Sequence, residues 1–140
     1  MTKPQNIENC MHRSPITINA ERNIGEAVSL ILEYKLTGLT VVDSKGDVVG
    51  VISEIDCLKA ILTAIYNNGE PDGGLVSDYM TANPNICHPS DGIVEVAESM
   101  LQTKQRRRPV ISDGKLVGQV SSGTVLWALM EFARHKTQGH

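Results

Sequence analysis

An α+β fold made of two tandem copies of one β-α-β-β-α unit is what the sequence predicts, and three observations carry that prediction. The chain matches itself at an offset of 69 residues: Ile7 meets Val76, Met11 meets Met80, Ile24 meets Ile93, Glu26 meets Glu95 and Lys35 meets Lys104. The stretch from Val41 to Asp56 reads as strand, tight turn, strand and helix start, and the stretch from Val110 to Ser121 repeats that layout with a turn one residue shorter. Beyond that turn the offset is 68, so that Gly50 meets Gly118, Ser53 meets Ser121 and Ala60 meets Ala128. Self-similarity at a fixed period marks a duplicated structural unit. Two such units, each with a sheet that is apolar on one face, are expected to pack about a pseudo-twofold axis and leave two related clefts.

The elements follow in order. Residues 1–10 are polar apart from Ile7 and form a short lead-in. Ile16-Thr17-Ile18 alternates as a brief strand, and 21–36 carries the helical stripe Ile24, Ala27, Val28, Ile31, Leu32 and Leu36. Strands at 38–42 and from 48 flank Asp43-Ser44-Lys45-Gly46, a set of turn formers. Gly50 interrupts the second strand, which predicts a bulge or a close backbone approach. Ser53 stands at the N-cap of a helix over 53–66, whose Ile55, Leu58, Ile61, Leu62 and Ile65 form a one-sided stripe. The first repeat is 7–66, the linker 67–75 and the second repeat 76–134, the last opening with a short helix near 76–80. A strand at 85–87, a helix over 91–103 bearing Ile93, Val96, Ala97, Met100 and Leu101, a hairpin and a helix over 121–134 complete it. That final helix is apolar nearly all round, and its Trp127 stands where the first repeat has Lys59, so a subunit interface or a cover for the module's own edge is expected there.

Composition excludes several classes. With 41% hydrophobic and 21% charged residues the chain is ordinary globular protein, and at 4% aromatic its core rests on aliphatic side chains. A net charge of −3 gives no field to attract nucleic acid or an anionic membrane. No apolar run approaches the roughly 20 residues that span a bilayer, and the polar start Met1-Thr2-Lys3-Pro4-Gln5-Asn6 has no signal-peptide core, so the expected location is the cytoplasm. Cys10, Cys57 and Cys87 lack metal or disulfide spacing; Cys57 aligns with Val125 and Cys87 with Ile18, which marks both as buried, reduced thiols. His12, His88, His135 and His140 pair with nothing at metal spacing, and no nucleophile elbow, P-loop or carboxylate pair is present, so no catalytic residues and no metal are assigned.

The duplicated unit, with Val76-Ser77-Asp78-Tyr79-Met80-Thr81, the Pro109-Val110-Ile111 strand, the hydrophobic-Gly-hydrophobic hairpins and Ser53-Glu54-Ile55-Asp56, resembles a pair of CBS domains, the tandem arrangement called a Bateman module. The resemblance covers roughly residues 7–134. It implies a regulatory module rather than an enzyme, with no required cofactor and a regulatory ligand of adenosine type: AMP, ADP, ATP or S-adenosylmethionine. It also implies a homodimer formed through helices including 121–134, with a regulated protein as further partner. In the family the Ser/Thr-x-x-Asp segment holds the ligand's ribose, which here falls on Ser53 and Asp56. The remaining ligand candidates are Thr17, Thr37, Gly38, Leu39 and Thr40 in the first repeat and Ser121 in the second, with Arg107 and Arg108 added from the alternation of the basic run rather than from the resemblance.

Each assignment has a plainer counterpart. An ionised carboxylate accepts two hydrogen bonds from a vicinal diol, but Ser at N-cap with Asp at N3 is also a near relative of the capping box. The second repeat has Thr124 in place of the acid, so the two clefts differ and at most one binds a nucleotide well. Thr40 replaces the family's proline, and Arg108 stands where an apolar residue is usual. Arg106, Arg107 and Arg108 either turn toward a polyphosphate or form a solvated edge that blocks strand pairing. The alternative function is a dimerisation or docking module whose clefts bind no nucleotide.

Overall fold

A computed structural model describes residues 6–70 and 74–138, with side chains as far as residue 134. The α+β class is as predicted: helices and strands form two compact units. One is Pro15–Pro84; the other joins the segment ahead of Pro15 to everything from Asn85 onward. Of the linker, 71–73 lies outside the described residues.

In the first unit, β1 (Thr17–Asn19), α1 (Ile24–Glu33), β2 (Gly38–Val42), β3 (Val48–Ser53) and α2 (Glu54–Tyr66) precede a one-turn helix α3 (Val76–Tyr79) and a short β4 (Thr81–Ala82). The sheet order is β1-β2-β3-β4, with β1 parallel to β2 and the other pairs antiparallel. Local chemistry sets these bounds. Asn23 caps α1 by accepting the Glu26 amide at 2.9 Å, and Lys35 beyond its end adopts φ 54°, so the helix is shorter than the apolar stripe predicts. In the hairpin, Asp43 Oδ1 accepts the amides of Lys45 and Asp47 at 2.9 and 3.0 Å, and Gly46 supplies φ +84°.

The face that α2 buries reverses the expectation. Cys57 and Ala60 point into the core, while Ile55, Leu58 and Ile65 are 71%, 57% and 54% exposed. Small residues let the helix approach the sheet closely, and the large stripe is left on the outside.

The second unit contains a 3₁₀ turn at Ile7–Asn9, α4 (Ile93–Thr103), β5 (Arg107–Ser112), β6 (Lys115–Ser121) and α5 (Ser122–Gln138). The strand expected at 85–87 is reduced to a parallel bridge between Cys87 and Val110, because Pro84 and Pro89 bracket the stretch and offer no amide to a ladder. Cys87, Ile93, Val96, Val110, Val120 and Ala128 form the core of this unit.

Each repeat's leading segment completes the sheet of the other repeat. Ile7, fully buried, belongs to the core with Cys87 and Ile93, whereas its counterpart Val76, also fully buried, belongs to the core with Ile24 and Leu39. β4 pairs with β3 through Gly50 and Val51, and His12 pairs with Gln119 of β6 in the matching place. The two strand glycines permit this. A Cβ on Gly50 would lie 2.7 Å from Met80 Sδ and 2.8 Å from the Thr81 carbonyl oxygen; on Gly118 it would lie 2.8 Å from Met11 Sδ and 2.9 Å from the His12 carbonyl oxygen. A methionine can swing aside, but a paired carbonyl cannot. Gly50→Ala and Gly118→Ala should each lower unfolding stability by about 1–3 kcal/mol in urea titrations, an overpacking effect; an unchanged midpoint would show that the segments approach less closely.

Candidate functional site

The start of β2, the end of β3 and the first turn of α2 meet at one corner of the first unit. Gly38 is in register with Ser53, and the Thr37 carbonyl accepts the Glu54 amide at 2.9 Å. Ser53 and Asp56 form a reciprocal capping box: Ser53 Oγ accepts the Asp56 amide at 3.1 Å, and Asp56 Oδ2 accepts the Ser53 amide at 2.9 Å. The cap is therefore real, and it uses one carboxylate oxygen. Among the described residues Oδ1 carries no hydrogen bond, and Asp56 is half-buried beside the exposed Thr37. The corner is a fixed carboxylate with one oxygen unengaged, at the end of β3 beside the buried Gly38 of β2.

The other first-repeat candidates are placed differently. Thr17 and Thr40 are register partners on β1 and β2, but Thr40 is fully buried. Leu39 is likewise fully buried, among Ile18, Ile24 and Ile52, so its side chain builds the core rather than an exposed slot. The structure thus brings Thr37, Gly38, Ser53 and Asp56 together at the corner and sets Leu39 inside the fold.

The second unit has the same corner with opposite chemistry. Arg107 is in register with Ser121, and the Arg106 carbonyl accepts the Ser122 amide at 2.8 Å, repeating the Gly38–Ser53 and Thr37–Glu54 arrangement. Thr124 reproduces the cap without a charge: its Oγ1 accepts the Ser121 amide at 3.0 Å, and its amide donates to Ser121 Oγ at 3.2 Å. A guanidinium-bearing residue thus replaces Gly38, and a hydroxyl replaces the Asp56 carboxylate.

The basic run divides. Arg106 is exposed, Arg107 half-buried and Arg108 only 4% exposed. The Arg108 guanidinium donates to Gln105 Oε1 from Nε at 3.0 Å and from a terminal nitrogen at 2.8 Å, with Thr103 Oγ1 at 3.5 Å. Gln105 and Thr103 did not stand out in the sequence; their signal is a pair of neutral acceptors placed just ahead of an arginine at a core position. Of the two arginine candidates, Arg107 sits at the corner, and Arg108 is engaged beneath it.

No helix among the described residues is long and apolar enough to cross a membrane. The family model described as "CBS domain" matches twice, at residues 7–63 and 76–131. CBSX2, a chloroplastic CBS domain-containing protein of Arabidopsis thaliana, is 29% identical over 143 residues, a match covering 84% of this chain and 59% of that protein. The chain thus spans less than two thirds of that relative's length. A crystal structure of CBSX2 in complex with AMP has a TM-score of 0.80 at 30% identity, covering 93% of this chain and 99% of that one. The CBS domain pair of protein MJ0100, in complex with 5-methylthioadenosine and S-adenosyl-L-methionine, has a TM-score of 0.75 at 25% identity, covering 89% and 99%. With two matched repeats that account for most of its length, this chain belongs to the CBS domain family.

Proposed function

We propose that the chain is a regulatory module that binds an adenosine-containing ligand at the Ser53–Asp56 corner and has no reaction of its own. The observation that carries this reading is Asp56 itself. One oxygen is pinned by the Ser53 amide, so the carboxylate is held in place before any ligand arrives, and the other oxygen is available to a ribose hydroxyl. Backbone amides at the start of α2 favour a phosphate nearby. AMP, ADP, ATP and S-adenosylmethionine share the ribose that this corner would recognise, and the AMP-bound CBSX2 structure supports the class.

The second corner, with Arg107 and Ser121 and without a carboxylate, suits an anion better than a diol, so the two repeats have unequal ligand roles. The exposed apolar side chains of α2 and α5 support a homodimer, whose ligand-dependent state a regulated protein would read. Three free cysteines, two of them buried, fit a reducing compartment such as the cytoplasm.

The test separates cap from ligand role. Asp56→Asn keeps an oxygen for the Ser53 amide and removes the charge, whereas Asp56→Ala removes both. In thermal unfolding against AMP, ADP, ATP and S-adenosylmethionine, ligand at a hundredfold excess over Kd stabilises wild type by about 2.7 kcal/mol. Asp56→Asn should unfold near the wild-type temperature without ligand and lose most of that shift. Asp56→Ala should lose the shift and also about 1 kcal/mol of basal stability. No shift with any ligand in wild type would leave the carboxylate as a helix cap and favour a docking module.

A further inference from the structure

We infer that Asn68 is a site of spontaneous deamidation: its side chain condenses with the Gly69 backbone nitrogen when the C-terminal cap of α2 opens, and the product cannot rebuild that cap. Of the chain's eight asparagines only Asn68 precedes a glycine; the others precede Ile, Cys, Ala, Asn or Pro. A following glycine has no Cβ to hinder the attack and gives the backbone most freedom to bring nitrogen and carbonyl together. The pair lies just past Tyr66, the last residue of α2, and both members are exposed. Among the described residues the Asn68 side chain makes no hydrogen bond, whereas Asn67 Nδ2 donates to the Thr63 carbonyl at 2.9 Å.

The fold restrains this pair. Asn68 has φ +55°, its amide donates to the Ile65 carbonyl at 3.2 Å, and the Gly69 amide donates to the Ala64 carbonyl at 2.8 Å. These two bonds close the helix end through a left-handed residue. While the second stands, the Gly69 nitrogen keeps its proton and does not react. The backbone does not require glycine at 69: its φ lies outside the left-handed region, and a Cβ there would have its nearest neighbour 3.6 Å away. The demanding position is 68, and it holds asparagine. Once the end opens, the Gly69 nitrogen passes its proton to solvent and bonds to Asn68 Cγ. Ammonia leaves with a proton taken from solvent, and a succinimide is closed. Water then opens the ring at Cγ, giving an aspartyl residue, or at the backbone carbonyl, giving an isoaspartyl residue. Either product sets a carboxylate at the negative end of the α2 dipole. The isoaspartyl form also adds a carbon to the backbone, which spoils the spacing of the two closing bonds. The last turn of α2 is thereby loosened, at the end opposite Ser53 and Asp56.

Full-length wild type is incubated at neutral pH, folded and in urea, then cut after glutamate to release residues 55–70. Mass spectrometry and isoaspartyl methyltransferase labelling read the products. In the folded chain Asn68 alone should gain the amide-to-acid mass difference and yield both products. It should do so roughly ten- to a hundredfold more slowly than in urea, the span that the small opening free energy of a helix end allows. Gly69→Ala should suppress the reaction and, given the room for its Cβ, should not lower the unfolding midpoint. Hydrogen exchange on the purified isoaspartyl form should show protection lost at the end of α2 only. A folded chain that stays intact while the urea-unfolded chain converts overturns the site. Equal rates in the two states overturn the restraint by the cap. Conversion at Asn67, or undiminished conversion in Gly69→Ala, overturns the assignment to the Asn68–Gly69 pair. Unaltered exchange at the end of α2 overturns its loosening.

Discussion

Replacing Ile7 with alanine should destabilise the chain by about 2–5 kcal/mol, the range for removing a buried isoleucine side chain down to its Cβ, and the damage should fall on the half of the chain most distant in sequence. Ile7 is fully buried, with Cys87, Ile93 and Val120 among the residues of its core. Its amide donates to the Asp91 carbonyl at 2.8 Å, and the next amide, from Glu8, donates to Pro89 at 3.0 Å. The segment therefore fills a core position and also occupies hydrogen-bonding groups that α4 and its approach would otherwise leave unpaired. Ile7→Asp should be worse, since a carboxylate there has no partner in an apolar core. Hydrogen exchange reads the location: amides of α4, β5 and β6 should lose protection in Ile7→Ala before those of β2 and β3. Val76→Ala should give the reverse order, because Val76 is fully buried in the other unit. Early loss in β2 and β3 on changing Ile7 would mean that each lead-in serves its own repeat, contrary to the structure.

Ile7 also shows where the sequence is readable and where it is not. Its apolar character among polar neighbours identifies an anchor, but apolarity carries no address, and which repeat it anchors is settled only by non-local packing. The Ser53 cap, the Asp43–Gly46 turn and the tight approach at Gly50 are legible because each is decided within a few residues or by the absence of a side chain. The stripe on α2 is legible as a stripe; its direction is not. Periodicity shows that Ile55, Leu58 and Ile65 share a face, and only the close packing of Cys57 and Ala60 against the sheet shows that the shared face looks outward. At the candidate site the cap on Asp56 could be read from spacing, but the unengaged oxygen could not. Arg108 is harder still. Strand alternation places it with Arg106, yet one is buried and the other exposed, because Gln105 and Thr103 at the surface supply acceptors for the Arg108 guanidinium.

The buried thiols give the chain a steep alkaline limit. Burial pushes the Cys87 thiol from an ordinary 9.0 up to about 12, with the Arg108 guanidinium pulling the other way and Asp91 and Cys10 adding to the rise. Burial, assisted by the Asp56 and Glu54 charges, pushes Cys57 to about 11. For an acid whose folded pKa is raised, the protonated form is favoured by folding. Below pH 9 both states keep the proton and the contribution is complete; above it the unfolded chain releases the proton and the folded chain does not. Stability then falls by about 1.4 kcal/mol per pH unit for each thiol, until the folded pKa is passed near 11 for Cys57 and near 12 for Cys87. The full loss attributable to Cys87 is of the order of 4 kcal/mol. Cys87→Val and Cys57→Val place at each site an aliphatic residue of the kind found at Ile18 and Val125 in the opposite repeat, so the packing should survive. Urea unfolding of wild type and both variants from pH 8 to 11 isolates the effect, since every other titrating group is common to all three. Each variant should show a shallower alkaline decline than wild type, Cys87→Val diverging through the whole range above pH 9. Parallel curves for all three proteins would show that these thiols ionise as readily in the fold as in the unfolded chain, and that the core around them admits water.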